Sequence, residues 1–144
     1  MIKILHLLAM LLILNATPGW AIDPLFEGIA ALQRGDYDLA LELLDQEARR
    51  GSREAQYYLA RIYREGLGVS QNKKRVLYWY EKAASGGHIE AQYQLGMIYH
   101  NGKLTLQDEK QAYQWLSKAA EQGHPQAQNQ LAELQSAAQD RNSS

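Results

Sequence analysis

Cysteine is absent from the 144 residues. Disulfide staples, thiolate metal sites and thiol nucleophiles are therefore excluded, and stability has to come from packing. No charge of one sign dominates either: 15 Lys and Arg stand against 16 Asp and Glu, a formal net charge of −1. Nucleic acid, which calls for a clear basic excess, is not an expected partner. The glycines form no GxxxxGK[ST] or GxGxxG run, so no phosphate cradle of that kind is present. No apolar run approaches the roughly 20 residues that span a bilayer. The length suits one modest domain.

What is present begins with a short apolar segment. Lys3 precedes Ile4 to Leu14, broken only by His6, and Asn15, Thr17, Pro18 and Gly19 end the run. Gly19 and Ala21 put small residues at −3 and −1 of a cut after Ala21, the layout of a cleavable signal peptide over residues 1–21. The alternative is an uncleaved membrane anchor. A lipid anchor is excluded because no cysteine follows the run. Cleavage removes Lys3 and takes the net charge to −2. The mature chain, residues 22–144, is expected in the periplasm or outside the cell, with no membrane span.

Compared with itself, the sequence repeats at a spacing of 36 residues. Residues 55–90 read AQYYLARIYREGLGVSQNKKRVLYWYEKAASGGHIE and residues 91–126 read AQYQLGMIYHNGKLTLQDEKQAYQWLSKAAEQGHPQ, aligned without a gap and identical at fifteen of the 36 positions. A third copy opens at Ala127 as AQNQLAEL and stops after one helix. Upstream, residues 25–53 form a shorter copy in which Gly51 matches Gly87 and Gly123, and Leu43 stands where Trp79 and Trp115 stand later. Its interhelical loop has lost about five residues, leaving Gly35-Asp36.

Each unit predicts two helices. Ala55, Leu59, Ile62 and Tyr63 recur at the spacing of one helical face, and Gly66 stops the helix where positive φ is favoured. Asn72 and Asp108 are the expected caps of the second helices. Val76, Trp79, Tyr80 and Ala83, or Ala112, Trp115, Leu116 and Ala119, form their apolar stripes. Ser52, His88 and His124 cap the next first helices, and Pro125 takes a first helical position that needs no N–H. The expected organisation is a degenerate unit over 22–53, repeats over 54–89 and 90–125, and a capping helix over 125–138. A polar tail over 139–144 is expected to be disordered.

The pattern AQxxLGxxYxxG, a loop, Lys74 or Lys110 five residues before Trp79 or Trp115, then Lys-Ala-Ala and Gly-His, resembles the Sel1-like repeat, a relative of the tetratricopeptide repeat. The resemblance covers Ala55 to about Leu134. Leu104-Thr105 replaces the usual Gly-Val seen at Gly68-Val69, and Ala60 replaces the glycine found at Gly96. It implies an all-α, right-handed α/α solenoid of about seven helices. It further implies a non-catalytic adaptor or scaffold that assembles or regulates protein complexes, in bacteria often at the envelope. Two alternatives belong to the same reading: an immunity or inhibitor protein for a secreted toxin, and a peptidoglycan- or small-ligand-binding module.

No residue set points to an enzyme, a cofactor or a metal. His88 and His124 are repeat equivalents in a Gly-His turn, better explained as helix caps than as ligands one repeat apart. His100 has no matched acid or base nearby in the pattern. Tyr63, Tyr99, Trp79 and Trp115 fall at repeated packing positions, and Lys73-Lys74-Arg75 reads as the solvated first turn of a helix. A partner surface is expected on the first helices, opposite the main apolar stripe: Tyr57, Arg61 and Arg64, then Tyr93, Met97 and His100, then Asn129 and Glu133. First helices line the concave side of such solenoids.

Overall fold

The computed structural model describes residues 22–142, among which there are seven helices and no strand. They are α1 (Pro24–Arg34), α2 (Tyr37–Arg49), α3 (Arg53–Glu65), α4 (Lys73–Ser85), α5 (Ile89–Asn101), α6 (Glu109–Glu121) and α7 (Pro125–Asn142). Each packs on its chain neighbours, giving the layered α/α solenoid that the repeat implies. The expected signal segment, 1–21, lies outside the described residues. No helix among the described residues is long and apolar enough to cross a membrane.

Local chemistry sets the boundaries. Asn72 and Asp108 accept the Arg75 and Gln111 amides at 3.0 Å, opening α4 and α6. Ser52 accepts the Ala55 amide at 3.2 Å to open α3. Gly66 (φ 72°) and Gly102 (φ 65°) close α3 and α5 in the left-handed region, returning their amides to the Ile62 and Ile98 carbonyls. The first unit differs at its start, where Asp23 caps α1 through the Leu25 amide.

Alanines let the layers approach. Ala55, Ala91 and Ala127, one per unit at 36-residue spacing, are fully buried. The bulk is supplied by one position in the second helices: Leu44, Tyr80 and Leu116 are all fully buried. This corrects the weight placed on the tryptophans. Trp79 is buried, but Trp115 is half-buried with the Lys118 ammonium 4.3 Å from its ring, because the position lies at the edge of the stripe rather than its centre. Tyr63 and Tyr99 are half-buried as well. Their hydroxyls reach the rim, where one accepts from Arg75 at 2.7 Å and the other donates to Glu81 at 3.2 Å. Lys73 and Lys74 are exposed as expected, whereas Arg75 is pinned to Tyr63.

A glutamine latch recurs between units. Gln56, Gln92 and Gln128 donate to the Ala48, Ala84 and Ala120 carbonyls at 3.1, 3.1 and 3.2 Å. These carbonyls lie in a helix's last turn and already accept the Gly51, Gly87 and Gly123 amides at 3.1, 3.0 and 2.9 Å, so each latch adds a second bond, made from the next unit. The last helix also departs from expectation: it continues to Asn142 instead of ending at 138. Ala137, Ala138 and Gln139 are good helix formers with no glycine or proline to stop them. Residues 143 and 144 lie outside the described residues.

Candidate interaction surface

The first helices align from their closing glycines. Nine residues before Gly35, Gly66 and Gly102 stand Phe26, Tyr57 and Tyr93; five before stand Ala30, Arg61 and Met97; two before stand Gln33, Arg64 and His100. Successive first helices are bridged directly, with the Arg64 guanidinium donating to Gln94 Oε1 at 3.0 Å. Successive second helices leave a cleft of about 580 Å³ lined by Ala48, Arg49, Arg75, Tyr78, Trp79 and Lys82, among others. The family resemblance implies that first helices line the inner, concave side, and this bridge ties two of them together.

Two of the expected surface tyrosines are built into the joints between units. His88 Nδ1 accepts the Ala91 amide at 3.1 Å, which leaves the ring proton on Nε2 to be donated to Glu54 at 3.0 Å. The same ring stacks on Tyr57, with centroids 4.4 Å apart. One repeat later His124 caps the Ala127 amide at 3.3 Å, donates to Glu90 at 2.9 Å and stacks on Tyr93 at 4.4 Å. Each histidine is therefore a helix cap, as the sequence implies, and also a rivet to the preceding first helix. Burial pushes the Tyr57 hydroxyl up, the Glu90 charge adds to this, and Arg61 and Arg64 oppose it.

The remaining positions are distributed unevenly. Arg61 lies 6.0 and 5.8 Å from the rings of Tyr57 and Tyr58. Arg64 lies 5.8 Å from the Tyr80 ring. Both guanidiniums share the Glu65 carboxylate at 3.4 Å. Met97 shares a cleft of about 390 Å³ with Arg64, Gln94, Ile98 and Leu104, among others. His100 instead turns toward the start of α6, where Glu109 is 3.3 Å away. Asn129 and Glu133 are exposed on α7, and Glu133 accepts from Gln130 at 3.0 Å. Arg61, Arg64 and Met97 thus come together, Tyr57 and Tyr93 serve the joints, and His100 leans away. Among the described residues no group of three or more His, Asp or Glu is placed to hold a metal ion.

Sequence reasoning missed two features. Phe26 is 68% exposed at the position of Tyr57 and Tyr93. The next unit is capped by Ser52 rather than histidine, so its ring has no histidine to stack on. Counting back from Gly35 would have found it. The second feature is the Tyr80 hydroxyl, which is buried with no hydrogen-bond partner; periodicity places that side chain in the core and says nothing of its oxygen.

The comparisons agree with this architecture. A Sel1 repeat protein from Oxalobacter formigenes matches at 32% identity and a TM-score of 0.72, over 76% of this chain and 45% of that one. A protective antigen present in uropathogenic Escherichia coli strains, displaying an SLR fold, matches at 40% identity and a TM-score of 0.61, over 63% of this chain and 20% of that one. The chain thus spans less than half the length of either relative. No curated protein matches. The Sel1 repeat itself matches three times in succession, over residues 25–52, 53–88 and 89–124, and the chain belongs to the Sel1 repeat family.

Proposed function

We infer that the chain is a non-catalytic binding module, exported to a bacterial envelope, that holds a partner protein on its concave face. Sel1 repeats are commonly protein-interaction scaffolds, which supplies the general class. One observation carries the finer reading. Most packing positions, such as Ala55, Ala91 and Ala127, repeat from unit to unit, while the positions facing away from the stripe change from Ala30 and Gln33 to Arg61 and Arg64 to Met97 and His100. A fold needs the first kind of position to be constant, and a fitted surface needs the second to differ. Export rests on Lys3, the apolar run to Leu14 and the small residues Gly19 and Ala21.

Site-specific photo-crosslinking in the native cell tests the reading. A photoreactive residue at Met97 is expected to capture one discrete protein from the envelope fraction, and one at Tyr113, on a second helix, is expected to capture none. Equal capture from both sites, or none from Met97, contradicts a concave binding face.

A further inference from the structure

The middle unit carries a polar set that neither neighbour has. Its buried second-helix position is Tyr80, where the flanking units place Leu44 and Leu116. Its concave positions are Arg61 and Arg64, where the flanking units place Ala30 and Gln33, or Met97 and His100. The Tyr80 ring lies beside the Arg64 guanidinium, 5.8 Å away, and Arg61 is near enough for its charge to reach the hydroxyl. Both arginine charges act on that hydroxyl together with Tyr57 and Glu65.

The hydroxyl lacks a partner and both arginine–carboxylate contacts are long, while Arg64 also donates to Gln94 at 3.0 Å. The Tyr80 hydroxyl is the one buried side-chain polar atom among the described residues without a partner. A leucine fills its place twice, so the fold does not require an oxygen there, and an orphaned buried donor is costly to keep. The two guanidiniums share one carboxylate at 3.4 Å each. Elsewhere in the chain arginine–carboxylate pairs close to 2.6 or 2.7 Å, the usual span of a charge-assisted bond. Arg61 and Glu65 are still 35% and 37% exposed, so a ligand can reach them.

We propose that Arg61, Arg64 and Tyr80 form a carboxylate-binding site for an acidic, extended segment of the partner protein. The ligand carboxylate takes the forks of Arg61 and Arg64 in place of Glu65, and the Tyr80 hydroxyl donates to it as Arg64 shifts. The adjoining cleft beside Met97, Ile98 and Leu104 receives a neighbouring apolar side chain, and Lys103 at its edge adds a third cation. The inference rests on the concave-face reading above and adds the partner's chemistry to it.

The test uses the folded full chain and a fluorescein-labelled peptide of alternating glutamate and leucine, read by fluorescence anisotropy. The same peptide with glutamine for glutamate is the control. Wild type is expected to bind the acidic peptide at least about tenfold more tightly than the control, the scale of a hydrogen bond to a charged group. Arg61→Met and Arg64→Met are each expected to weaken it about tenfold. Tyr80→Phe is expected to weaken it severalfold while leaving the melting temperature unchanged or raised, since it deletes an unpartnered hydroxyl. Inorganic phosphate is expected to compete no better than chloride at matched ionic strength. Equal binding of the two peptides, full binding by Tyr80→Phe, or displacement by phosphate would overturn the carboxylate assignment. The crosslinking experiment separates the two readings. Capture at Met97 that survives Arg61→Met with Arg64→Met leaves the concave face standing and sinks only the carboxylate site.

Discussion

Replacing His88 probes the joint between units most sharply, because the side chain makes three separable contacts. Its Nδ1 caps α5 through the Ala91 amide at 3.1 Å, and losing a cap to alanine costs about 1 kcal/mol. Its ring stacks on Tyr57 at 4.4 Å, a pairing worth about 1 kcal/mol beyond buried area. Its Nε2 reaches Glu54 at 3.0 Å, but that carboxylate is 45% exposed, so solvent screening reduces the bond to about 0.5 kcal/mol. His88→Ala should therefore destabilise the fold by about 2.5 kcal/mol. At about 4 °C per kcal/mol for a domain of this size, the melting temperature falls by about 10 °C. His88→Ser restores the cap that Ser52 provides one unit earlier, and should recover about 1 kcal/mol of the loss. Urea and thermal melts followed by circular dichroism give both values. If serine performs no better than alanine, Nδ1 does not hold the helix end. If neither variant departs from wild type, the joint is not where the units are held.

Two further substitutions follow from the same geometry. A Cβ on Gly96 would stand 2.7 Å from Leu116 Cγ, inside a fully buried contact. Gly96→Ala should cost about 1–2 kcal/mol in urea melts after its gain in helix propensity, and a stabilised variant would show that the α5–α6 contact is looser than drawn. At Glu90 burial opposes the charge, but hydrogen bonds from Gln94 and His124, with favourable electrostatics from the His124 and His88 rings, outweigh it and hold the carboxyl below the usual range. A lowered carboxyl stabilises the fold above its unfolded-state value and loses that contribution as pH falls through the folded one. The loss belongs below about pH 4.3. Glu90→Gln should therefore flatten the acid limb of the stability curve there, and an unchanged limb would remove Glu90 as a contributor.

Much of this architecture is legible in the sequence because it is written more than once. The 36-residue spacing pairs Ala55 with Ala91 and Ala127, and the paired glycines mark where helices stop, so element type and order follow from comparison within the chain. The capping role of His88 and His124 follows in the same way. What eludes such reading depends on direction rather than position. Periodicity places Tyr57 and Tyr93 on the concave stripe, yet cannot show that a histidine 31 residues later folds back on each ring. Arg64 and His100 are equivalent in sequence, yet the longer side chain bridges to Gln94 while the shorter one meets Glu109. The end of α7 eludes such reading for a different reason: the segment is polar and has no apolar partner in the sequence pattern, yet its composition favours helix through Asn142.

The central claim is that this solenoid meets its partner through the first helices. Hydrogen–deuterium exchange on the chain, alone and with the protein captured from its own cell, tests that claim directly. The account predicts added protection on α3 and α5, greatest from Tyr57 to Arg64 and from Tyr93 to Met97, with α4 and α6 unchanged. Added protection confined to α2, α4 and α6 would place the partner on the convex side and contradict it.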